Sequence, residues 1–226
     1  MAPLLLLDLD GTLVNSVPDL TAVLNRLMRA RGLAPFTQAE TARMVGDGVG
    51  RLVGRAFAAR ASVPDASAVA EFVADYDTNF AVETRPFPGV ETTLRALAGQ
   101  GWRFAVCTNK LERPARALLA TLGLGELFAA IGGGDSFPTR KPDPAHLLAT
   151  VRAASGSPER AVMSGDHRND VIAARGAGLP CIFAAWGYGE PEMGQDADAV
   201  AHEFAELAAL APRLLNGAAG SPSTSR

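Results

Sequence analysis

The stretch LLLLDLDGTLVNS, residues 4–16, decides the fold. An unbroken run of leucines is typical of a strand that is buried on both faces of a parallel sheet. Such a strand carries charge only where it leaves the sheet, so Asp8 and Asp10 are expected at its carboxyl end, where open α/β sheets bind their ligands. A single Asp there would indicate an ordinary turn or helix cap. Two carboxylates side by side indicate a bound cation or a substrate.

Composition excludes several functional classes. A chain of 226 residues, 48% of them hydrophobic, can form one good core and a small satellite domain. A net charge of -3 without a basic stripe argues against a nucleic-acid partner. We also expect no membrane partner and no signal peptide, because the apolar runs are short. Cys107 and Cys181 lie in apolar, strand-like runs, which favours buried reduced thiols in a cytoplasmic protein. Monomer and homodimer both remain open.

From residue 86 onward, predicted helices and strands alternate, which indicates βαβ units and a parallel sheet. The first strand must join that sheet to bury both its faces. We therefore expect an α/β, Rossmann-like parallel-sheet core formed by residues 1–15 and 85–216, followed by a disordered tail at 217–226. The predicted helices are 90–98, 112–122, 144–154, 169–176 and about 203–211, and the predicted strands are 103–107, 127–131, 161–164 and 180–184.

Residues 16–84 contain no convincing strand and are predicted to form an inserted, all-helical cap domain. The segment Ser16-Val17-Pro18-Asp19 has the pattern of a capping box with Pro in the first helical turn, and Gly32 ends the first helix. Further helical periods run over residues 38–45, 49–60 and 66–82. The chain is expected to cross between core and cap near 14–17 and 83–87.

Polar residues that could carry chemistry follow the ends of the predicted core strands, and parallel strands bring these ends to one edge. Such a group of carboxylates repels itself unless a hard cation neutralises it, and all-oxygen ligation suits Mg²⁺. The only two lysines of the chain are in the group, which favours a compact point charge at their positions. The residues are Asp8, Asp10, Thr108, Asn109, Lys110, Lys141, Asp166 and Asp170.

Such a cluster supports phosphoryl transfer. One carboxylate can attack phosphorus and form an aspartyl-phosphate, and a second can move the proton of the leaving group and then that of water. A lysine, a threonine hydroxyl and backbone N–H groups can stabilise the charge on the phosphoryl oxygens.

The motifs Asp8-Leu9-Asp10-Gly11-Thr12, Thr108-Asn109, Lys141 and Gly165-Asp166 with Asp170 resemble, in order, the four motifs of the haloacid-dehalogenase superfamily. They look most like its phosphatases with a helical cap. The resemblance implies that Asp8 is the nucleophile and Asp10 the general acid/base. It implies a Mg²⁺ ion held by the carboxylates of Asp8 and Asp166 and the backbone carbonyl of Asp10, with Asp170 supporting the site. Thr108, Asn109 and Lys141 are implied to bind the phosphate, and Lys141 to take part in catalysis.

Other segments resemble the phosphoglycolate phosphatase family within this superfamily, among them residues 85–90, 107–110, 132–138, 140–144 and 44–53. The resemblance implies a small phosphorylated metabolite, 2-phosphoglycolate first, as substrate. The turn Gly46-Asp47-Gly48 and Arg51 could bind its carboxylate, or could be a plain helix start and a solvated side chain. Alternatives are a phosphatase or phosphomutase acting on another small phosphometabolite or on pyrophosphate, and a non-catalytic phosphate-binding regulatory protein.

Two positions depart from the family pattern. Asn15 stands at the expected hinge into the cap, where Asp is usual, and His167 follows Asp166, where Ser or Thr is usual. We expect His167 to be a supporting or surface group rather than a metal ligand. Lys110 is expected either beside the active site or at the start of the helix near Glu112.

Overall fold

The computed structural model of the chain describes residues 1–218. Its core is a six-stranded parallel sheet in the order β5-β4-β1-β6-β7-β8. The predicted α/β class is confirmed. The strands of this sheet are β1 (Leu4–Leu7), β4 (Arg103–Cys107), β5 (Phe128–Gly132), β6 (Ala161–Gly165), β7 (Cys181–Ala184) and β8 (Ala199–Ala201).

The leucine run is the central strand. β1 pairs with β4 on one side and with β6 on the other, with Leu7 opposite Val106 and Ser164. The four leucines are buried on both faces of the sheet, which explains why the run is continuous rather than alternating. Asp8 follows at the carboxyl edge, and its backbone N–H still donates to the Ser164 carbonyl at 3.0 Å.

Helices cover both faces of the sheet. One apolar cluster contains Leu5 and Leu7, and another on the opposite face contains Leu4 and Leu6, as the two-residue period of a strand requires. The core helices are α5 (Val90–Gly99), α6 (Glu112–Thr121), α7 (Pro144–Ala153), α8 (Arg168–Ala177) and α9 (Leu207–Ala218). The predicted tail begins too early, since residues 217 and 218 extend α9, and residues 219–226 lie outside the described residues.

The inserted segment is helical, as predicted, and has its own apolar cluster that includes Val23, Met28, Phe57 and Phe72. We call residues 16–84 the cap. Its helices are α1 (Val17–Arg29), α2 (Gln38–Ala42), α3 (Val49–Ala58) and α4 (Ala68–Asn79).

A short antiparallel ribbon joins cap and core. β2 (Val14–Asn15) pairs with β3 (Arg85–Pro86), with Asn15 opposite Arg85, so the two chain crossings are hydrogen-bonded to each other. The crossings lie where the sequence predicts them. The ribbon itself was not predicted, because two-residue strands carry no periodic signal.

The predicted capping box at Ser16 is wrong. The Ser16 side chain makes no cap hydrogen bond, and its hydroxyl donates instead to Asp10 Oδ1 at 2.6 Å. Asp19, the expected partner, accepts from the backbone N–H groups of Glu83 and Thr84, on the return crossing. The side chains of Ser16 and Asp19 therefore bind Asp10 and the return crossing of the chain instead of forming a capping box.

Cys107 and Cys181 are buried free thiols, as predicted. Burial raises the pKa of Cys107 to about 12, so the thiol stays protonated and unreactive. Over residues 1–218, no helix has both the length and the apolar character that crossing a membrane requires.

Candidate active site

Asp8 lies at the bottom of the site, with 4% of its surface exposed. Its Oδ1 accepts from the backbone N–H of Leu9 at 2.7 Å and lies 3.0 Å from Lys141 Nζ. No protein donor to Oδ2 is found among the described contacts. One carboxylate oxygen is thus fixed, and the other is available to a ligand.

Lys141 bridges two carboxylates. Its fully buried ammonium lies 3.0 Å from Asp8 Oδ1 and 2.5 Å from Asp170 Oδ1. Burial alone would lower the pKa of Lys141, but Asp170 and Asp8 together raise it well above its usual value, so the ammonium is retained. The sequence predicted Lys141 in this cluster, and the structure places it there.

His146 fixes the loop that carries Lys141. The backbone N–H of Lys141 donates to Nδ1 of His146 at 3.2 Å, and Nε2 lies 3.1 Å from the Gly133 carbonyl oxygen. Burial, followed by the nearby Lys141 charge, lowers the pKa of His146 to about 4. The ring is therefore neutral, with its proton on Nε2, and it positions Lys141 without taking part in the chemistry.

Three buried carboxylates form a candidate metal centre. Asp8, Asp166 and Asp170 each offer an oxygen, and these oxygens lie within 4.8 Å of one another. Burial, followed by Asp8 and Asp170, raises the pKa of Asp166 to about 8. Such mutual destabilisation is what a divalent cation relieves, and the all-oxygen set suits a hard ion such as Mg²⁺.

The surroundings hold Asp166 and Asp170 in place. Asp166 accepts from the Thr12 hydroxyl at 3.0 Å and from the backbone N–H of Tyr188 at 2.8 Å. A Cβ on Gly11 would lie 2.2 Å from Asp166 Oδ2, so only glycine allows this carboxylate to approach the first loop. Asp170 Oδ2 accepts from the His167 backbone N–H at 3.0 Å. The residues present therefore fit a bound divalent cation.

The Asp10 side chain faces away from this centre. Its Oδ2 lies 3.1 Å from Lys110 Nζ, and its Oδ1 accepts from the Ser16 hydroxyl. The family resemblance implies that Asp10 binds the metal only through its backbone carbonyl, which leaves the side chain available for proton transfer. Lys110 lies beside the active site and does not cap the helix near Glu112.

Thr108 and Asn109 follow β4 and differ in what they contact. Thr108 is buried, and its hydroxyl accepts from the Lys110 backbone N–H at 3.2 Å, which leaves the hydroxyl proton for a ligand. The Asn109 amide donates to the carbonyl oxygens of Gly46, in the cap, and Lys141. Asn109 therefore joins the cap to the lysine loop in this structure.

A cavity of about 70 Å³ lies between core and cap at this point. Its core wall includes Asp8, Asp10, Thr108, Asn109 and Lys110. Its cap wall is mostly apolar and includes Leu20, Val45, Val49, Leu52, Phe72, Val73 and Tyr76. The cavity has room for a few water molecules or a short organic molecule.

Arg51 is not brought into the cavity. It is exposed on α3 and is absent from the cavity wall. Asp47 forms an ion pair with Arg55. Burial raises the pKa of Asp47, but Arg55, His167 and Asn169 together lower it by more, so the pKa lies below its usual value. The turn at Gly46-Asp47-Gly48 does reach the site, because Gly46 and Gly48 line the cavity.

Three residues of the site were not anticipated. Tyr76, on α4, contacts Lys110. Tyr188 follows β7 and contacts both Asp166 and the start of α1. Asn169 donates to the Gly46 carbonyl oxygen. The glycines flanking Tyr188 were the available signal for it, because a strand-end loop of this kind can pass close to the sheet edge.

A sheet edge that gathers a buried aspartate, a lysine bridge and a carboxylate centre under a helical cap is typical of phosphoryl-transfer hydrolases. The model of the haloacid dehalogenase-like hydrolase family matches residues 3–178. The chain belongs to this family.

Comparison with individual proteins narrows the class of hydrolase. The chain is 42% identical over 212 residues to a phosphoglycolate phosphatase of Agrobacterium fabrum, covering 92% of this chain and 91% of the relative. It is 43% identical over 216 residues to a phosphoglycolate phosphatase of Rhodospirillum rubrum, covering 92% and 90%. The crystal structure of a Haemophilus somnus protein, described as a predicted phosphoglycolate phosphatase, superposes with a TM-score of 0.84 at 30% identity, covering 91% of this chain and 96% of that one. The chain is a phosphoglycolate phosphatase-like phosphoric monoester hydrolase.

Proposed function

We propose that this chain hydrolyses 2-phosphoglycolate to glycolate and phosphate in a Mg²⁺-dependent reaction through an aspartyl-phosphate on Asp8. The observation that carries the proposal is that Asp8 and Asp10 line one cavity together with Thr108. A nucleophile, a proton carrier and a phosphate ligand then face the same small space. The names of the relatives support phosphoglycolate as the substrate.

In the first step Asp8 Oδ2 attacks phosphorus, while Lys141 and the Leu9 N–H hold Oδ1 and fix the direction of attack. The bond from phosphorus to the glycolate oxygen breaks, and protonated Asp10 donates a proton to that oxygen. The Thr108 hydroxyl donates to a phosphoryl oxygen. The products of this step are glycolate and phosphorylated Asp8.

In the second step Asp10, now a carboxylate, takes a proton from a water molecule that attacks phosphorus. The bond between phosphorus and Asp8 breaks, phosphate leaves, and Asp8 and the protonated Asp10 are restored. The Ser16 hydroxyl and Lys110 hold the Asp10 side chain in place for both transfers.

The carboxylates of Asp8 and Asp166 and the backbone carbonyl of Asp10 would hold the Mg²⁺ ion, with Asp170 supporting it. When bound, the ion neutralises negative charge on the carboxylates and the phosphoryl group. Lys141 supplies a fixed positive charge next to this centre, and it opposes the effect of burial, which raises the pKa of Asp170 to about 7.

The cap limits water in the cavity. Asn109 and Asn169 both donate to the Gly46 carbonyl oxygen, at 3.1 and 2.9 Å, so the cap loop is held against the core. A mostly apolar cap wall strengthens electrostatic contacts inside the cavity and limits the access of water to the phosphorylated aspartate. We place the enzyme in the cytoplasm, in keeping with its two buried free thiols.

A panel of phosphate monoesters tests the proposal. Purified protein with Mg²⁺ should show its highest kcat/KM for 2-phosphoglycolate among small phosphometabolites, and inorganic pyrophosphate should be a poor substrate. A higher kcat/KM for another member of the panel would overturn the substrate. Complete absence of turnover with every member would instead support a non-catalytic phosphate-binding protein, and phosphate transfer between sugar hydroxyls would support a mutase.

A further inference from the structure

One basic side chain, that of Lys110, lies in the cavity wall and can bind a second negatively charged group of the substrate. Of the residues that form this wall in the described part of the chain, Lys110 alone is basic, whereas Asp8, Asp10 and Asp77 are acidic. Asp77 already pairs with Arg113. Without Lys110, a second anionic group of a substrate in this cavity would face only the negative charges of these aspartates.

The Lys110 ammonium has capacity for a ligand. It lies 3.1 and 3.3 Å from the two Asp10 oxygens and donates to the Tyr76 hydroxyl at 2.9 Å. Two of these three contacts go to the same carboxylate, and the longer of them is 3.3 Å, so a substrate carboxylate can take the place of one Asp10 oxygen while the ion pair with the other is kept. Lys110 is also part of the cavity wall.

Tyr76 adds a second donor from the cap. Its hydroxyl accepts from Lys110, and no acceptor for its own proton is found among the described contacts. The Lys110 ammonium also lies 4.4 Å from the centre of the Tyr76 ring, which fixes the ammonium by a cation–π contact. A carboxylate beside this pair would accept one hydrogen bond from the core and one from the cap.

The spacing suits a short substrate. Thr108, which faces the phosphate, and Lys110 are two residues apart, so their Cα atoms are at most about 7 Å from each other. A phosphate and a carboxylate separated by one carbon can reach both residues. The apolar cap wall formed by Leu20, Val49 and Leu52 offers no hydrogen-bond partners to the hydroxyls of a sugar phosphate, and leaving those hydroxyls unpaired disfavours binding.

We propose that Lys110 and the Tyr76 hydroxyl form the recognition site for the substrate carboxylate, in place of the exposed Arg51. The proposal rests on the proposed function, since it takes a short phosphorylated acid as the substrate. Lys110 is then the specificity-determining residue of the core, and Tyr76 makes recognition depend on a closed cap.

The test compares 2-phosphoglycolate with 2-hydroxyethyl phosphate, in which CH₂OH replaces the carboxylate. Lys110→Met should lower the ratio of kcat/KM between the two esters by at least about 30-fold, the lower range for a lost buried charge pair. Tyr76→Phe should lower it by about 10-fold. Both substrates lose rate in Lys110→Met because Lys110 also holds Asp10, so the ratio is the decisive readout.

Arg51→Met is the matched control and should leave the ratio unchanged. An unchanged ratio in Lys110→Met, a ratio that falls in Arg51→Met, or a wild-type enzyme without preference between the esters would overturn the proposal. Calorimetric binding of both compounds to Asp8→Asn, with and without Lys110→Met, separates recognition from turnover. A selective loss of 2-phosphoglycolate affinity there supports the site even if the proposed hydrolysis fails, and equal affinities in the two backgrounds contradict it.

Discussion

The side-chain amide of Asn169 donates to the backbone carbonyl oxygen of Gly46 at 2.9 Å. Asn169 is the residue before Asp170 of the carboxylate centre, and Gly46 belongs to the cap. One hydrogen bond thus joins the start of α8 to the wall of the substrate cavity. Gly46 has a φ of 115°, and a Cβ there would lie 2.7 Å from Cδ2 of His167.

Gly46→Ala should therefore disturb cap closure. The backbone conformation of position 46 is strained for a non-glycine residue by about 1–3 kcal/mol, and the methyl group would displace the His167 ring. We expect a higher KM with a smaller change in kcat, measured by steady-state kinetics. His167→Ala combined with Gly46→Ala should recover part of the loss by removing the clash but not the strain. Gly50→Ala, in open space on α3, is the control and should behave as wild type. A wild-type KM in Gly46→Ala would contradict the closed-cap interpretation.

Asp8→Asn should abolish hydrolysis and leave the fold intact. The amide oxygen can still accept from the Leu9 N–H, but the nucleophile is lost, so kcat should fall by at least about 10⁴-fold. Release of phosphate measures the rate, and thermal unfolding checks the fold. Asp65→Asn, an exposed cap residue paired with Arg31, is the matched control and should retain activity. Hydrolysis at more than a trace by Asp8→Asn would rule out the aspartyl-phosphate route.

The sequence predicted the core and most of the cluster because both depend on strong, local signals. The leucine run ending at Asp8 predicted the central strand, and the ends of β4 and β6 placed Thr108 and Asp166 at the same edge. The three-residue strand β8 was missed because it is too short for a periodic pattern.

The cap side of the site was harder to predict. Tyr76 lies on a helix whose register relative to the core no local pattern determines, and it is indistinguishable in sequence from a core aromatic. Arg51 has the expected charge but is exposed on α3, on the wrong side for the cavity. Ser16 has the composition of a helix cap, yet it contacts Asp10, which lies outside its helix.

Mg²⁺ should stabilise the protein more at pH 8 than at pH 5.5. The folded-state pKa of Asp166, about 8, lies above its ordinary value of 3.8, so the metal-free folded state binds a proton that the unfolded state has lost. The contribution of this group to stability is full below pH 3.8 and is lost as the pH rises through 8. Mg²⁺ and this proton compete for Asp166. At high pH fewer protons are available, so Mg²⁺ binds more tightly and stabilises the folded state more.

Thermal unfolding with excess Mg²⁺ and with EDTA, at several pH values, measures this effect. The Mg²⁺-induced rise in Tm should increase between pH 5.5 and 8. In Asp166→Asn the rise should be smaller and should change less with pH, because one titrating carboxylate is gone and only Asp170, whose pKa burial raises to about 7, still titrates in this range. A rise in Tm that is equal at both pH values in the wild type would show that the carboxylate centre does not titrate in this range.

Tyr188→Phe should loosen the hinge of the cap. The Tyr188 hydroxyl accepts from the backbone N–H groups of Ser16 and Val17 at 2.8 and 3.3 Å, so it caps α1 in place of the Ser16 side chain. The phenylalanine ring keeps the packing against Phe87 but leaves these N–H groups without their acceptor. Unfolding free energy from urea titration should fall by about 1–2 kcal/mol.

Hydrogen exchange at Ser16 and Val17 should accelerate, whereas Tyr76→Phe, the only other Tyr→Phe change the chain allows, should leave that exchange unchanged. Equal protection of these amides in Tyr188→Phe and wild type would show that another group caps α1 and that Tyr188 does not control the hinge.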